Sequence, residues 1–195
     1  MSVSRIADQL RFIEEIDKVK AVLRRTRLLD NSRYENDAEH AWHLAVMAVV
    51  LAEHANVPTL DVGKVIKMVL IHDIVEIDTG DTFLYDREAR RARESSERAA
   101  AERIFGLLPA DQRDEMMALW VEFESRQTPE AKFAAALDRL EPILQNARTG
   151  AHAWKKHGVT KSEVLAANHH VAEGSEELWR LAEELIESAG TEISP

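Results

Sequence analysis

The chain has 195 residues, 45% of them hydrophobic, which is enough for one domain with a sizeable core. Asp and Glu number 35 against 25 Lys and Arg, and the formal net charge of -10 excludes a nonspecific binder of nucleic-acid polymers while leaving room for a small anionic substrate. With no cysteine, a disulfide framework, a thiolate zinc site and a thiol nucleophile are all excluded. No apolar run approaches the roughly 18 to 20 residues that span a bilayer, and Met1-Ser2-Val3-Ser4-Arg5 lacks a signal-peptide pattern. No membrane association is expected, and a cytoplasmic location is.

Only 7 Gly and 5 Pro punctuate the sequence, and they fall between long periodic segments. Alternating β-branched runs are missing, so an all-α fold is expected. A first helix is predicted from Ser4 to about Arg25, with Ile6, Leu10, Ile13 and Leu23 on its apolar stripe. It closes in Arg24-Arg25-Thr26-Arg27, read either as a solvated helix end or as a grip for an oxyanion. Asn36 or Asp37 is a good N-cap for a second helix, which runs to about Ala55. His40, Leu44, Met47 and Leu51 share one face of it. His43 and His54 read as core or surface residues.

Pro58-Thr59-Leu60-Asp61 opens a strongly apolar helix, carrying Val62, Val65, Ile66, Val69 and Leu70, that is expected to be the central one. It leads into Ile71-His72-Asp73-Ile74-Val75-Glu76-Ile77-Asp78-Thr79-Gly80-Asp81. Carboxylates at the electronegative end of a helix are unfavourable unless a cation sits there, and a divalent metal supplies one. His72 and Asp73 are therefore candidate metal ligands, with Glu76 and Asp81 as acid/base groups beside them. A polar helix over 86–105 mixes Arg87, Arg90, Arg91 and Arg93 with Glu88, Glu94 and Glu97, which reads as a solvated face. Pro109 opens a helix to about Glu124 in which Met116, Met117, Leu119, Trp120 and Phe123 read as core or dimer contacts. Thr128 and Pro129 start another, and Asp138 stands within its stripe of Phe133, Ala136, Leu137 and Leu140 as a fourth candidate ligand. Gly150 and Gly158 frame a loop. Thr160 and Glu163 form a capping box for a helix to about Glu173. Ser175 caps a last helix through Ile186, and the tail after Gly190 is expected to fray. His169 and His170 read as structural or exposed.

In chain order, His40, His72-Asp73 and Asp138 spell an H…HD…D pattern that resembles the HD-domain metal-dependent phosphohydrolases. Glu35-Asn36-x-x-Glu39-His40, His72-Asp73-x-x-Glu76-x-x-x-Gly80-Asp81 and Leu137-Asp138-Arg139-Leu140 are similar to the branch containing the 5'-deoxynucleotidases, over roughly 5–150. The resemblance implies a compact helical bundle forming a single HD domain across 1–195, with its core at about 5–150 and further helices at about 160–189. It implies one divalent metal (Co, Mn, Mg, Zn, Ni or Fe) held by His40, His72, Asp73 and Asp138. No His lies between Asp73 and Asp138, which favours a single ion and a phosphomonoester over a cyclic dinucleotide. It further implies that Glu76 positions or deprotonates the attacking water and that Asp81 protonates the leaving 5' oxygen. Arg25, fifteen residues before His40, would meet the phosphate, with Arg33 at a similar family position. Arg33 has a second reading, as a brace for the Glu35 loop. The segment at Arg25–Arg27 departs from the family in lacking an aromatic residue beside the phosphate-gripping arginine. The substrate implied is a nucleoside 5'-monophosphate, and the assembly a homodimer, with Trp120 and Phe123 offered as contacts. Another small phosphoester, or a metal-binding helical domain without catalysis, are the alternatives.

Overall fold

The helix over 129–148 is enclosed on almost every side. In the computed structural model, which describes residues 3–82, 84, 85 and 87–189, twelve of its twenty side chains are buried. Around it the described elements run in chain order as α1 (Val3–Ile16), a 3-10 turn (Asp17–Ala21), β1 (Leu23–Arg27), β2 (Tyr34–Asn36), α2 (Asp37–Leu51), a 3-10 turn (Ala52–His54) and α3 (Val62–Ile71). A further 3-10 turn (His72–Val75) leads to α4 (Glu76–Thr79), α5 (Arg87–Phe105), α6 (Ala110–Ser125), α7 (Pro129–Arg148), α8 (His152–Lys156), α9 (Lys161–Asn168), α10 (Val171–Gly174) and α11 (Glu176–Ala189). The bundle is helical, as expected, with one small addition: β1 and β2 pair antiparallel, Leu23 opposite Asn36 and Arg27 opposite Tyr34. Among the described residues no helix is long and apolar enough to cross a membrane.

Several expectations are corrected. The first helix stops at Ile16, not near Arg25, because the chain tightens into the 3-10 turn and then extends from Val22 (φ -80°, ψ 119°) to pair with β2. α7, not α3, is the central helix. It packs against α2, α3, α6, α10 and α11, while Leu70 of α3 lies 47% exposed. Trp120 and Phe123, read as core or dimer contacts, prove to be core, buried at 5% and 7% exposure, and the dimer alternative falls for them. The helix expected to reach Glu173 also breaks at Asn168 and resumes as α10. On α5 the Arg98–Glu102 pair (3.3 Å) fits the solvated reading, while the side chains of 87–94 and the tail after Gly190 lie outside the described residues.

Small residues explain why α7 takes so many neighbours. Ala131, Ala134, Ala135 and Ala136 are buried along it and let other backbones come close. Gly174 at the end of α10 is the tightest case, since a Cβ there would stand 2.4 Å from the Lys132 carbonyl oxygen and 2.8 Å from Phe133 Cα. The C-terminal helices are tied to the end of α2 as well. Ser175 Oγ donates to the His54 carbonyl (2.6 Å) and accepts from the Leu178 N–H (3.0 Å) as the cap of α11. Asn56 donates to the Ala172 carbonyl at 2.8 Å.

Gly174→Ala should therefore force α10 off α7 and cost about 1–3 kcal/mol, the usual range for overpacking a close contact. A lower urea midpoint at unchanged slope is the expected result. An unchanged midpoint would mean that the approach is looser than described.

Candidate metal centre

Each candidate ligand reaches the centre by a different local device. At the start of α2, Asn36 and Glu39 form a capping box, with the Glu39 N–H donating to Asn36 Oδ1 (3.0 Å) and the Asn36 N–H to Glu39 Oε2 (3.3 Å). This fixes the first turn and sends His40 into the core at 0% exposure. α3 tightens into its 3-10 turn at His72, which changes the angular step between neighbours and lets His72 and Asp73 approach one point. The His72 Nδ1–H donates to the Val69 carbonyl (2.9 Å), so its Nε2 faces the centre. Phe123 packs on the same imidazole, ring centroids 4.8 Å apart. Asp138 comes from the middle of α7, buried at 6% exposure.

The four side chains meet. His40 Nε2 stands 3.0 Å from Asp138 Oδ1 and 3.9 Å from Asp73 Oδ2. His72 Nε2 stands 3.2 Å from Asp73 Oδ2 and 3.5 Å from Asp138 Oδ1. Two ligands about 2.1 Å from a shared ion are separated by roughly 3 to 3.5 Å, and three of these four distances fall in that range, with His40 to Asp73 longer at 3.9 Å. His72 Nε2 is buried and makes no well-directed hydrogen bond. A buried ring nitrogen without a partner, beside two carboxylates, fits a divalent cation. Two nitrogen and two oxygen donors suit several metals.

More carboxylates close in from one side. Asp37, Asp73 and Glu76 bring oxygen atoms within 4.8 Å of one another. Burial, then the charges of Asp73, Asp37 and Asp81, push the Glu76 carboxyl up to about 11, and its Oε2 is buried without a hydrogen bond. Burial and Asp73 push Asp37 up to about 7. Asp73 itself is held below the usual carboxylate range, because His72 and Arg24 outweigh its burial. Burial alone would discharge His72, yet Asp73 and Asp138 raise it to about 10. The cation in their midst is Arg24. Its Nη1 donates to Asp73 Oδ2 (2.7 Å) and Asp37 Oδ1 (3.3 Å), and its Nη2 lies 4.0 Å from Asp138 Oδ1. Burial opposes its charge, but Asp73, Asp138, Asp81 and Asp37 together hold it firmly protonated.

Arg25 points the other way along β1, as alternation in a strand requires. Its guanidinium is half exposed, with Nε 3.7 Å from Asp81 Oδ2. Asp81 follows Gly80, whose φ of 72° turns the chain back at the end of α4. Arg33 lies on the outer side, with its guanidinium on the Glu39 carboxylate (2.7 Å). His43 Nδ1 stands 3.3 Å from Glu141 Oε1, His54 Nδ1 pairs with Glu177 (2.9 Å), and His169 packs on Trp179. A cleft of about 760 Å³ opens over His72, Asp73, Glu76 and Asp138, with Trp120 and Arg139 in its walls. Ligand pockets are typically about 300–1,000 Å³.

The structure thus gathers His40, His72, Asp73, Asp138 and Glu76 at one point, sets Asp81 with Arg25 nearby, and leaves Arg33 aside. Sequence reasoning missed Arg24, Asp37 and Glu141. A strand reading of Leu23–Arg27 would have put Arg24 and Arg25 on opposite faces. Glu141, three residues after Asp138 on the same inward stripe, was legible by spacing alone.

The HD domain family matches residues 16–179. The 5'-deoxynucleotidase HDDC2 of Mus musculus is 34% identical over 140 residues, covering 71% of this chain and 68% of the relative. Its Homo sapiens counterpart is 33% identical over 137 residues, covering 70% and 65%. The chain thus spans about two thirds of the length of these relatives. A crystal structure described as a predicted metal-dependent phosphohydrolase from Magnetospirillum magnetotacticum MS-1 is 49% identical and superposes with a TM-score of 0.93, covering 98% of this chain and 97% of the other. A conserved hypothetical protein from Pyrococcus furiosus, at 23% identity and a TM-score of 0.63, shares the fold.

Arg24→Met removes the guanidinium from among three acids. Breaking a buried charge pair this way costs about 3–5 kcal/mol, so the chelator-treated variant should melt well below the parent. With saturating Co(II) the loss should shrink, because the ion supplies the missing charge. An equal loss with and without Co(II) would show that Arg24 is not the acids' counter-ion.

Proposed function

The chain belongs to the HD-domain family, and on that premise we propose that it is a metal-dependent phosphohydrolase that removes the 5'-phosphate of deoxynucleoside monophosphates. The observation that carries this is the convergence of His40, His72, Asp73 and Asp138 beneath a cleft of about 760 Å³ with Glu76 at its edge. The similarity to the named 5'-deoxynucleotidases supports the substrate class. We take the metal as a single divalent ion and the chain as one domain, since α10 and α11 complete the packing around α7. A cytoplasmic setting goes with a small nucleotide substrate.

His40, His72, Asp73 and Asp138 would hold the divalent ion, which when bound would polarise a phosphate oxygen as a Lewis acid and make water more acidic. The chain's own groups do the rest. Glu76, at the edge of the cleft beside Asp73, is placed to hold the attacking water and to take its proton once a bound cation offsets the acidic charge that pushes its carboxyl up. The water oxygen bonds to phosphorus as the bond from phosphorus to the 5' oxygen breaks. Asp81 delivers a proton to that leaving oxygen, and the products are a nucleoside and inorganic phosphate. Arg25, beside Asp81 and half exposed, meets the phosphate charge. Arg24 keeps Asp37, Asp73 and Asp138 from repelling one another. Arg33, engaged by Glu39, braces the start of α2.

The test is phosphate release from a panel of 5'-deoxynucleoside and 5'-ribonucleoside monophosphates with Co, Mn or Mg added. Release should vanish with chelator and in the His72→Ala/Asp73→Ala variant. Glu76→Gln should keep the metal and lose about a hundredfold or more in kcat. Silence across every metal and nucleotide would retire the nucleotidase reading and turn attention to another phosphoester, or to metal binding without catalysis.

We also propose a homodimer, on grounds other than Trp120 and Phe123. α2 exposes Trp42 (65%), Val46, Val49 and Val50, and α1 exposes Ile6, Leu10 and Ile13. Both sets follow helical spacing, so each forms a continuous apolar stripe. Such stripes mark association surfaces. Light scattering should give twice the chain mass of 22.1 kDa, and Val49→Asp/Val50→Asp should give the single mass. A parent of single mass would refute the dimer.

A further inference from the structure

We propose that Glu141 is a positioning residue of the metal centre, holding the His40 imidazole from behind so that Nε2 faces the ion. This rests on His40 being a ligand. α7 carries Asp138 and Glu141 three residues apart, one turn along the same face. That single turn grips both nitrogens of one ring, since Asp138 Oδ1 is 3.0 Å from His40 Nε2 and Glu141 Oε2 is 3.3 Å from His40 Nδ1. Nδ1 donates to the carboxylate, which leaves the Nε2 lone pair for the metal. Without an ion both ring nitrogens face a carboxylate, and an ion taken at Nε2 leaves Nδ1 as the donor to Glu141.

The carboxylate is itself held. Glu141 Oε1 accepts from Gln145 Nε2 and lies 3.3 Å from His43 Nδ1. His40 and His43 are one turn apart on α2, and Glu141 and Gln145 one turn apart on α7. Two helices therefore lock one carboxylate between two imidazoles and an amide. Glu141 is fully buried and Gln145 nearly so, which rules out a solvent-facing purpose. Glu35 Oε2 also approaches His40 Nδ1, at 3.7 Å, but makes no hydrogen bond. Along α7 the other inward positions are mostly Ala, Leu, Phe and Ile, so an apolar residue would fill this place at lower cost. A carboxylate behind a ligating imidazole fixes its orientation and makes the facing nitrogen a stronger donor.

Glu141→Gln keeps the size and a hydrogen-bonding oxygen but loses the charge. The full-length protein is loaded with Co(II), the dissociation constant is measured by competition with a chelator, and the visible Co(II) spectrum and melting temperature are recorded. A rise of about 10–100-fold in the dissociation constant is expected, the usual cost of losing such a partner, with altered Co(II) bands and little change in the metal-free melting temperature. A merely structural Glu141 would lower the melting temperature and leave the affinity and bands of the folded protein unchanged, and that result overturns the proposal. Should Glu141→Gln fail to fold, His43→Ala serves at a half-exposed position. A smaller loss of Co(II) affinity is expected there, and an unchanged affinity overturns the proposal. A parent that takes up no Co(II) would overturn the metal-site reading itself, and this one with it.

Discussion

Asp37, Asp73, Glu76, Asp81 and Asp138 arrive at one region from α2, the turn after α3, α4 and its exit, and α7. A protein interior does not hold that much negative charge without cations, because each buried carboxylate loses solvation and repels the next. Arg24 answers part of this from β1, and the two imidazoles answer more. The raised carboxyls of Glu76 and Asp37 show what is left over. A divalent ion at His72 and Asp138, as proposed, would supply the remaining positive charge.

That demand explains features of the backbone that look unrelated. A long basic helix ending at Arg25 would keep its arginines at the surface. A five-residue strand instead sends Arg24 inward to Asp73 and leaves Arg25 outward at Asp81. α3 gives way to a 3-10 turn at the candidate ligand pair His72 and Asp73, so that neighbours in sequence approach one point. α7 carries the buried Asp138, a candidate ligand, while touching five other helices, and its alanines reconcile the two. Pro142 also removes the hydrogen bond that its nitrogen would have donated to the Asp138 carbonyl, four residues back.

Much of this was legible in the sequence, for identifiable reasons. His40, His72, Asp73 and Asp138 stand out because charged or titratable groups sit where apolar periodicity calls for Leu or Val. Thr128, Thr160 and Ser175 announce helix starts by side-chain chemistry that acts within four residues, and the structure has all three. What was hidden depends on distant partners. Leu23–Arg27 is too short for a period of two to show, and its strand state comes from pairing with Tyr34–Asn36. Asp37 sits beside Asn36, and either could cap α2. The cap goes to Asn36, which frees Asp37 to face Arg24. α3 looked central because its residues are more apolar than those of α7. Enclosure instead follows the small residues that let helices close in, and α7 is the one that has them.

The same packing links the metal centre to the outer surface. From the ion position the chain of contacts runs through His40 to Glu141, and from Glu141 to His43. His43 stacks on Trp42, ring centroids 6.0 Å apart and 30° between planes, and Trp42 heads the exposed apolar stripe of α2. His40 and Trp42 thus sit on one short helix, one at the core and one in water, separated by a single buried carboxylate and its two histidines. A second copy seated on that stripe would cover the outermost of those histidines. It would limit the ways His43 can move, and so the ways Glu141 can let go of the ligand. Assembly and metal retention would then share one set of side chains, and the spacing of His40, Trp42 and His43 on α2 is what brings them together.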